Sequence, residues 1–126
     1  MVGLVVVSHS ERAADGIVEI AAEMAGDTRL EAVGGDGEGG IGTVPDAIEG
    51  AIEAADDGDG VVVLVDLGSA VMNADVAIEL SDVEAVIADA PVLEGAVNAA
   101  VAATDPSATL DSVREQAEAA REIKKL

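Results

Sequence analysis

The sequence predicts a doubly wound α/β fold, in which a mainly parallel sheet of strand order 2-1-3-4 is covered by helices on both faces. Two runs of β-branched and aliphatic residues, 1–7 and 61–65, have the composition of strands that are buried on both sides. Amphipathic helical patterns alternate with the apolar runs along the chain, as in other parallel sheets. We interpret residues 1–126 as one domain with a single well-buried core.

The segment after the first strand predicts an amphipathic helix. Ser10 is a cap-like residue at its start, and Gly26 is a typical residue at its end. Apolar side chains recur between them at spacings of three and four, which places them on one face: Ile17, Ile20, Ala21 and Met24.

A second strand, a glycine-rich loop and a second helix follow. Residues 29–33 predict the strand, and Thr43 is a plausible cap for the helix. The glycines of segment 34–42 only weakly resemble a dinucleotide-binding loop, and the segment lacks the lysine of a phosphate-binding P-loop. We therefore interpret it as a mobile loop near the rim of the site.

The second half of the chain continues the alternation and ends in two helices. The predicted segments are strand 61–65, helix 70–80, strand 83–88, helix 92–103 and a last helix that begins after Thr109. Helix 92–103 is apolar nearly all round, a pattern expected for a helix buried on more than one side. It is therefore the predicted contact between the two copies of a homodimer.

The charge of the chain is strongly negative, with 26 acidic residues, 6 basic residues and a formal net charge of −20. Four of the basic residues fall in the predicted last helix. Such a surface repels nucleic acid and anionic membranes. It suits a salt-rich cytoplasm, where charges are screened over about 3 Å at 1 M salt, so the composition predicts a halophilic, haloarchaeal source. No basic region precedes the short apolar run at the start, so we predict neither a signal peptide nor a membrane span.

Residue types that are absent exclude several kinds of site. The chain has no cysteine and one histidine, which argues against disulfides, thiolate metal sites and zinc. Phe, Tyr and Trp are also absent, so no ring is available to stack on a flavin or a base. We predict no metal and no bound cofactor.

The one histidine, His9, follows the first strand at the place where open α/β sheets bind their ligands. Asp66 follows the third strand. In strand order 2-1-3-4 these two strands are neighbours, about 4.8 Å apart, so His9 and Asp66 are predicted to lie together. His9 is the only strong nucleophile of the chain at neutral pH, although a hydrogen-bonded loop histidine without a chemical role is the alternative.

A carboxylate beside a histidine can accept one ring N–H and leave the other nitrogen free to attack a phosphoryl group. Asp66 fits that role, and it also fits the role of a cap for the next helix. The helix starts near His9 offer backbone N–H groups for phosphate oxygens. The predicted phosphate cradle consists of Ser10, Gly68, Ser69 and Arg12. For Arg12 the simpler interpretation is a solvated surface side chain.

Four segments together resemble one known family. They are residues 5–10 (VVVSHS), 40–43 (GIGT), 65–70 (VDLGSA) and 90–96 (APVLEGA). In this order they resemble the DhaM family, the phosphotransfer subunits of phosphoenolpyruvate-dependent dihydroxyacetone kinase, which have the mannose-type enzyme IIA fold of the sugar phosphotransferase system. The resemblance covers nearly the whole chain.

The resemblance implies a phosphotransferase subunit in which His9 matches the phosphorylated histidine and Asp66 the residue that orients it. The phosphoryl group then comes from the phosphocarrier phospho-HPr. It passes on to ADP held by the nucleotide-binding subunit of the kinase, and the ATP formed phosphorylates dihydroxyacetone. The resemblance also implies a homodimer. The alternatives are a sugar-specific mannose-type enzyme IIA that serves a membrane transporter, and a non-catalytic ligand-binding or sensory module.

Overall fold

The computed structural model describes residues 1–126 and contains one four-stranded sheet, in which every strand pair is parallel. Its order, β2-β1-β3-β4, confirms the predicted order. The strands are β1 (Gly3–Ser8), β2 (Leu30–Gly34), β3 (Val61–Val65) and β4 (Ala85–Ile87). The helices are α1 (Glu11–Ala25), α2 (Pro45–Ala55), α3 (Ser69–Leu80), α4 (Val92–Ala103) and α5 (Leu110–Ala119), and a 3-10 turn covers Ala120–Glu122.

Helices cover both faces of the sheet and create a hydrophobic core on each. Because side chains alternate across a strand, Leu4 and Val6 of β1 enter the core under α1, α4 and α5, whereas Val5 and Val7 enter the core under α2 and α3. The strands supply most of the large aliphatic side chains, and the helices supply mainly alanine. This explains how a chain without aromatic residues builds a closed core.

Helix α1 faces the core with only part of its predicted apolar face: Ala21 is buried and Ile17 packs against the core. Its buried residues are Ala14, Ala21 and Ala25, whereas Ile20 is 45% exposed and Met24 is 64% exposed. At about 100° per residue, Ile20 and Met24 lie to one side of the alanine stripe. The prediction from apolar spacing therefore found the helix and two of its core-facing residues, Ile17 and Ala21, but it also selected Ile20 and Met24, which are exposed.

Helix α2 begins without the predicted Thr43 cap. Val44 is the N-cap residue, no side chain caps the helix, and Pro45 occupies the first helical position. Proline fits there because the first N–H groups of a helix lack intrahelical partners. The Thr43 side chain instead accepts a hydrogen bond from Asn73 Nδ2 at 2.6 Å.

The last third of the chain differs from its prediction at two boundaries. Strand β4 has three residues, Ala85–Ile87, because it is an edge strand that pairs only with β3 over that length. Helix α5 is capped by Thr109 as predicted, through a reciprocal pair of hydrogen bonds with Ser112, but it ends at Ala119. Of the four basic residues assigned to this helix, only Arg114 therefore lies in it.

Helix α4 has the predicted bounds, and the structure explains its apolar character within one chain. Its residues Ala96, Ala99, Ala100 and Ala103 are buried in the core that α1 and α5 also enclose. The pattern therefore gives no support for α4 as a contact between copies. None of the helices combines the length and the apolar character needed to cross a bilayer.

A backbone contact at the start of β1 gives a test of the packing. A Cβ atom on Gly3 would lie 2.1 Å from the carbonyl oxygen of Ala55, at the end of α2. We expect Gly3→Ala to lower the free energy of unfolding by roughly 1–3 kcal/mol, because backbone must move. Gly16→Ala is the control, since that position in α1 has open space around it and alanine stabilises helices by up to about 1 kcal/mol over glycine. Urea unfolding measures both, and a Gly3→Ala protein as stable as wild type would contradict this packing.

Candidate functional site

The parallel pairing of β1 and β3 brings two polar residues together at the carboxyl edge of the sheet. Val7 is the register partner of Val65, and the N–H of Asp66 donates to the carbonyl oxygen of Val7 at 3.1 Å. His9 and Asp66 therefore emerge side by side, as the sequence predicts. The side chain of His9 is 22% exposed and that of Asp66 is 20% exposed, so the pair is largely buried but still in contact with solvent.

The carboxylate of Asp66 holds His9 through both of its oxygens. Oδ1 lies 2.9 Å from His9 Nδ1, and Oδ2 accepts the backbone N–H of His9 at 2.9 Å. Oδ1 also accepts the N–H of Leu67 at 2.8 Å. Because an ionised carboxylate only accepts hydrogen bonds, Nδ1 carries the proton and Nε2 keeps its lone pair. The geometry thus fixes the tautomer of the imidazole as well as its orientation.

Two opposing effects act on the charge state of Asp66. Burial by itself raises the pKa of this carboxyl group, but the backbone N–H of His9, the His9 imidazole and the Ser8 hydroxyl together outweigh it. The pKa of Asp66 is consequently below its ordinary value. Asp66 is thus a carboxylate at neutral pH and can stabilise positive charge on the imidazole.

Ser8 belongs to the site, and the sequence interpretation did not select it. Its side chain is the one buried polar group of the core, with 1% exposure. The hydroxyl donates to Asp66 Oδ2 at 2.9 Å and accepts the N–H of Ser10 at 3.1 Å. A hydroxyl at the last position of an otherwise apolar strand was the available signal, because buried polar groups need partners. Ser8 links the start of α1 to the carboxylate.

The other side of the imidazole faces the start of α3. Ser69 Oγ lies 2.9 Å from His9 Nε2, and Ser69 is the first residue of the helix. The backbone N–H groups of Gly68 and Ser69 have no hydrogen-bond partner within the chain. Gly68 has ordinary helical φ and ψ angles, and a Cβ there would meet nothing within 4 Å. Nε2 therefore opens onto a hydroxyl and free N–H groups of the kind that bind phosphate oxygens.

Ser10 and Arg12 lie on the α1 side of His9. The Ser10 hydroxyl caps α1 by accepting the N–H of Ala13 at 3.2 Å, so it is already engaged in the helix. Arg12 is exposed and makes no ion pair or side-chain hydrogen bond within the chain. Both residues line a cleft of about 590 Å³ together with Asp15, Gly40 and Ile41. Arg12 thus matches the surface role, and no contact in the structure assigns it to the imidazole.

The glycine-rich loop after β2, which the sequence predicts as a mobile loop near the rim of the site, contains several internal hydrogen bonds. Asp36 Oδ1 accepts the N–H groups of Glu38 and Gly40 at 2.8 and 2.9 Å, and its own N–H donates to the carbonyl oxygen of Gly40. At its end the N–H of Gly42 donates to the carbonyl oxygen of His9 at 2.9 Å. The loop therefore has a hydrogen-bonded shape and a direct contact with the site. No three His, Asp or Glu side chains converge anywhere in a way that could ligate a metal ion.

Comparison with known proteins gives the relatives of the chain. Residues 3–114 match the family described as the phosphotransferase system (PTS) fructose IIA component. The chain is 40% identical over 116 residues to the PTS-dependent dihydroxyacetone kinase, phosphotransferase subunit DhaM of Lactococcus lactis, covering 92% of this chain and 93% of that protein. It is 39% identical over 106 residues to the phosphoryl donor subunit DhaM of PEP-dependent dihydroxyacetone kinase 2 of Listeria innocua, covering 80% and 85%. The crystal structure of EF1359, a protein of unknown function, superposes with a TM-score of 0.81 at 28% identity, covering 93% and 92%.

The lowered pKa of Asp66 predicts a pH-dependent contribution to stability. A carboxyl group whose pKa is lower in the folded state stabilises the fold above its unfolded pKa, about 3.9, and loses that effect as the pH falls through its folded pKa. We expect Asp66→Asn to lower the free energy of unfolding by about 1–3 kcal/mol at neutral pH, because buried hydrogen bonds are lost. The difference from wild type should shrink as the pH falls below about 4, through the lowered pKa of Asp66.

Urea unfolding across that pH range measures the difference. Asp75→Asn is the control, because Asp75 is exposed and accepts no hydrogen bond, so its removal should have little effect at any pH. A difference between wild type and Asp66→Asn that stays constant down to low pH would contradict the assignment.

Proposed function

Because this chain belongs to the fructose IIA component family of the phosphotransferase system, and within it to the DhaM subunits of dihydroxyacetone kinase, we propose that it carries its phosphoryl group on His9. The observation that carries the proposal is the asymmetry of the imidazole. Asp66 holds Nδ1, while Nε2 faces the hydroxyl and the free N–H groups at the start of α3. A histidine with one nitrogen held and the other free is suited to accept and release a phosphoryl group.

The lone pair of Nε2 attacks the phosphorus atom of the donor, the P–N bond to the donor histidine breaks, and its electron pair stays with the donor nitrogen. His9 retains its proton on Nδ1 and becomes positively charged. The carboxylate of Asp66, 2.9 Å away, stabilises that charge without taking the proton. Transfer onward reverses these changes, so the same pair serves both steps.

Ser69 and Gly68 have a supporting role in this proposal. In the unphosphorylated chain the Ser69 hydroxyl can donate to Nε2, from which it lies 2.9 Å away. When the phosphoryl group occupies Nε2, that hydroxyl rotates and donates to a phosphoryl oxygen. The N–H groups of Gly68 and Ser69 and the positive end of the α3 dipole favour the other oxygens. Ser10 contributes indirectly by capping α1, and Arg12 supplies long-range positive charge beside the cleft.

The proposed donor is phospho-HPr, and the proposed acceptor is ADP on the nucleotide-binding subunit of the kinase. The names of the relatives support the donor role in the second step, since they describe a phosphoryl donor subunit of a phosphoenolpyruvate-dependent kinase. Both partners must reach Nε2 from the same exposed side, so they bind in turn. The proposal includes a homodimer in the cytoplasm.

A second candidate is a sugar-specific enzyme IIA, which the description of the matching family as a fructose component favours. The two functions differ in the acceptor rather than in the chemistry at His9. Phosphorylated chain mixed with the nucleotide-binding kinase subunit and ADP should yield ATP under the first proposal. Transfer only to membrane sugar-transporter components would favour the second.

Replacing His9 tests the carrier role directly. We expect the wild-type chain, incubated with phosphoenolpyruvate, enzyme I and HPr, to gain about 80 Da, one phosphoryl group per chain, in an acid-labile and base-stable form. His9→Gln should gain nothing, because the chain has no other histidine. Intact-mass spectrometry measures both, and circular dichroism checks that the variant is folded. An equal adduct on His9→Gln would contradict the proposal.

A further inference from the structure

The loop between β2 and α2 is organised by one carboxylate, that of Asp36. This side chain is on the surface, yet Oδ1 accepts two backbone N–H groups of the loop, those of Glu38 and Gly40. These bonds hold the pKa of Asp36 below its ordinary value. A cation has no part in this stabilisation, because Asp36 makes no ion pair. The carboxylate thus closes the loop by bonding to two of its backbone N–H groups.

The loop needs these hydrogen bonds because its glycines give the backbone many accessible conformations. Gly35, Gly37, Gly39 and Gly42 all have positive φ, a region that only glycine adopts at low cost. A chain segment with that many glycines loses much conformational entropy when it is fixed in one shape. Gly40 packs closely against the Asp36 side chain, since a Cβ at Gly40 would lie 2.5 Å from Asp36 Oδ2.

The closed loop is tied to both sides of His9. The N–H of Gly42 donates to the His9 carbonyl oxygen, and Asn73 Nδ2 donates to the carbonyl oxygen and hydroxyl of Thr43. Asn73 lies on α3, the helix that begins with Ser69. The loop is thus bonded both to the backbone of His9 and, through Thr43, to the helix that carries Ser69.

The loop also carries a large apolar side chain next to the site. Ile41, adjacent to Gly42, is 74% exposed, and two further exposed apolar residues belong to the segment that holds Asp66 and Ser69: Leu67 is 58% exposed and Met72 is 76% exposed. Leu67 follows Asp66 directly, and Met72 is one helical turn beyond Ser69. Exposed apolar side chains gathered around one reactive group mark a surface on which another protein docks. Ile41 is the member of this group that depends on the loop.

We propose that Asp36 is a positioning residue, which holds loop 35–42 in the shape that docks the protein donating a phosphoryl group to His9. The inference rests on the proposed carrier role of His9. Asp36 does not touch the reacting atoms, and the orientation of the imidazole comes from Asp66 through separate bonds. The loop therefore affects how tightly the partner binds and leaves the transfer step itself unchanged.

The test is the initial rate of phosphorylation of the chain at increasing concentrations of phospho-HPr. We expect Asp36→Ala to raise the KM for phospho-HPr roughly five- to tenfold with kcat within about twofold, because an unformed loop must be ordered at the moment of docking. Asp36→Asn should stay close to wild type, since an amide oxygen can accept the same two N–H groups. Gly40→Ala should resemble Asp36→Ala, because the new methyl group would lie 2.5 Å from Asp36 Oδ2 and would displace the carboxylate.

Asp105→Ala is the matched control. Asp105 Oδ1 also accepts two hydrogen bonds, from the N–H and the hydroxyl of Ser107, but it lies after α4 at the opposite edge of the sheet. Its removal should leave both KM and kcat as in wild type.

Three results would overturn the inference: an unchanged KM in Asp36→Ala, a loss confined to kcat, or a loss in Asp36→Ala that Asp36→Asn shares in full. Thermal melts of each variant separate a folding defect from a docking defect. A wild-type chain that takes no phosphoryl group from phospho-HPr would refute the proposed function itself, whereas a phosphorylated wild type with an unaltered Asp36→Ala would refute only the role of Asp36.

Discussion

The hydrogen bond between Asp66 and His9 is the interaction on which the site depends. The parallel pairing of β1 with β3 makes this bond possible. Strands β1 and β3 are consecutive neighbours in space although a strand and two helices separate them in sequence. Their parallel register places the residues after Val7 and Val65 at the same edge. A change of register by one residue would turn one of the two side chains to the other face of the sheet. The apolar residues that set the register of β1 and β3 therefore also set the geometry of the His9–Asp66 pair.

Carboxylates that shape this chain are stabilised by N–H and O–H donors more than by cations. With 26 acidic and only 6 basic residues, few carboxylates can find a cationic partner. Asp66 accepts bonds from His9, Ser8 and Leu67, and Asp36 accepts bonds from Glu38 and Gly40. Hydrogen bonds to a charged acceptor are stronger than neutral ones, and short-range bonds of this kind are less sensitive to salt than distant charge pairs. Asp66 and Asp36 therefore do not rely on the scarce cations of the chain.

The sequence was sufficient for features that depend on local pattern or on topology. The strand order, the bounds of α4, the Thr109 cap and the meeting of His9 with Asp66 were all predicted, because apolar runs, caps and strand ends are readable from neighbouring residues. Features that depend on contacts between distant segments were not. Helix α1 buries alanines because α4 and the sheet come close to it, and no spacing rule shows that.

The same limit applies around the site. Thr43 was expected to cap α2, but its hydroxyl accepts a hydrogen bond from Asn73, 30 residues further along the chain. The N-cap residue is Val44, and Pro45 occupies the first helical position. Asp36 was not singled out from the sequence, because its two acceptor bonds exist only once the loop is closed. Ser8 could have been selected from the sequence, because it is a hydroxyl residue at the end of a buried strand. Its role becomes clear only from its hydrogen bond to Asp66.

The most direct test of the account is the state of the two ring nitrogens of His9, which can be followed without ambiguity because the chain has one histidine. Nitrogen-15 NMR of the chain labelled at histidine reports which nitrogen carries a proton and which carries phosphorus. We predict a proton on Nδ1, hydrogen-bonded to Asp66, before and after phosphorylation, and a nitrogen–phosphorus coupling at Nε2 in the phosphorylated chain. Coupling at Nδ1, or a resting tautomer protonated at Nε2, would contradict it.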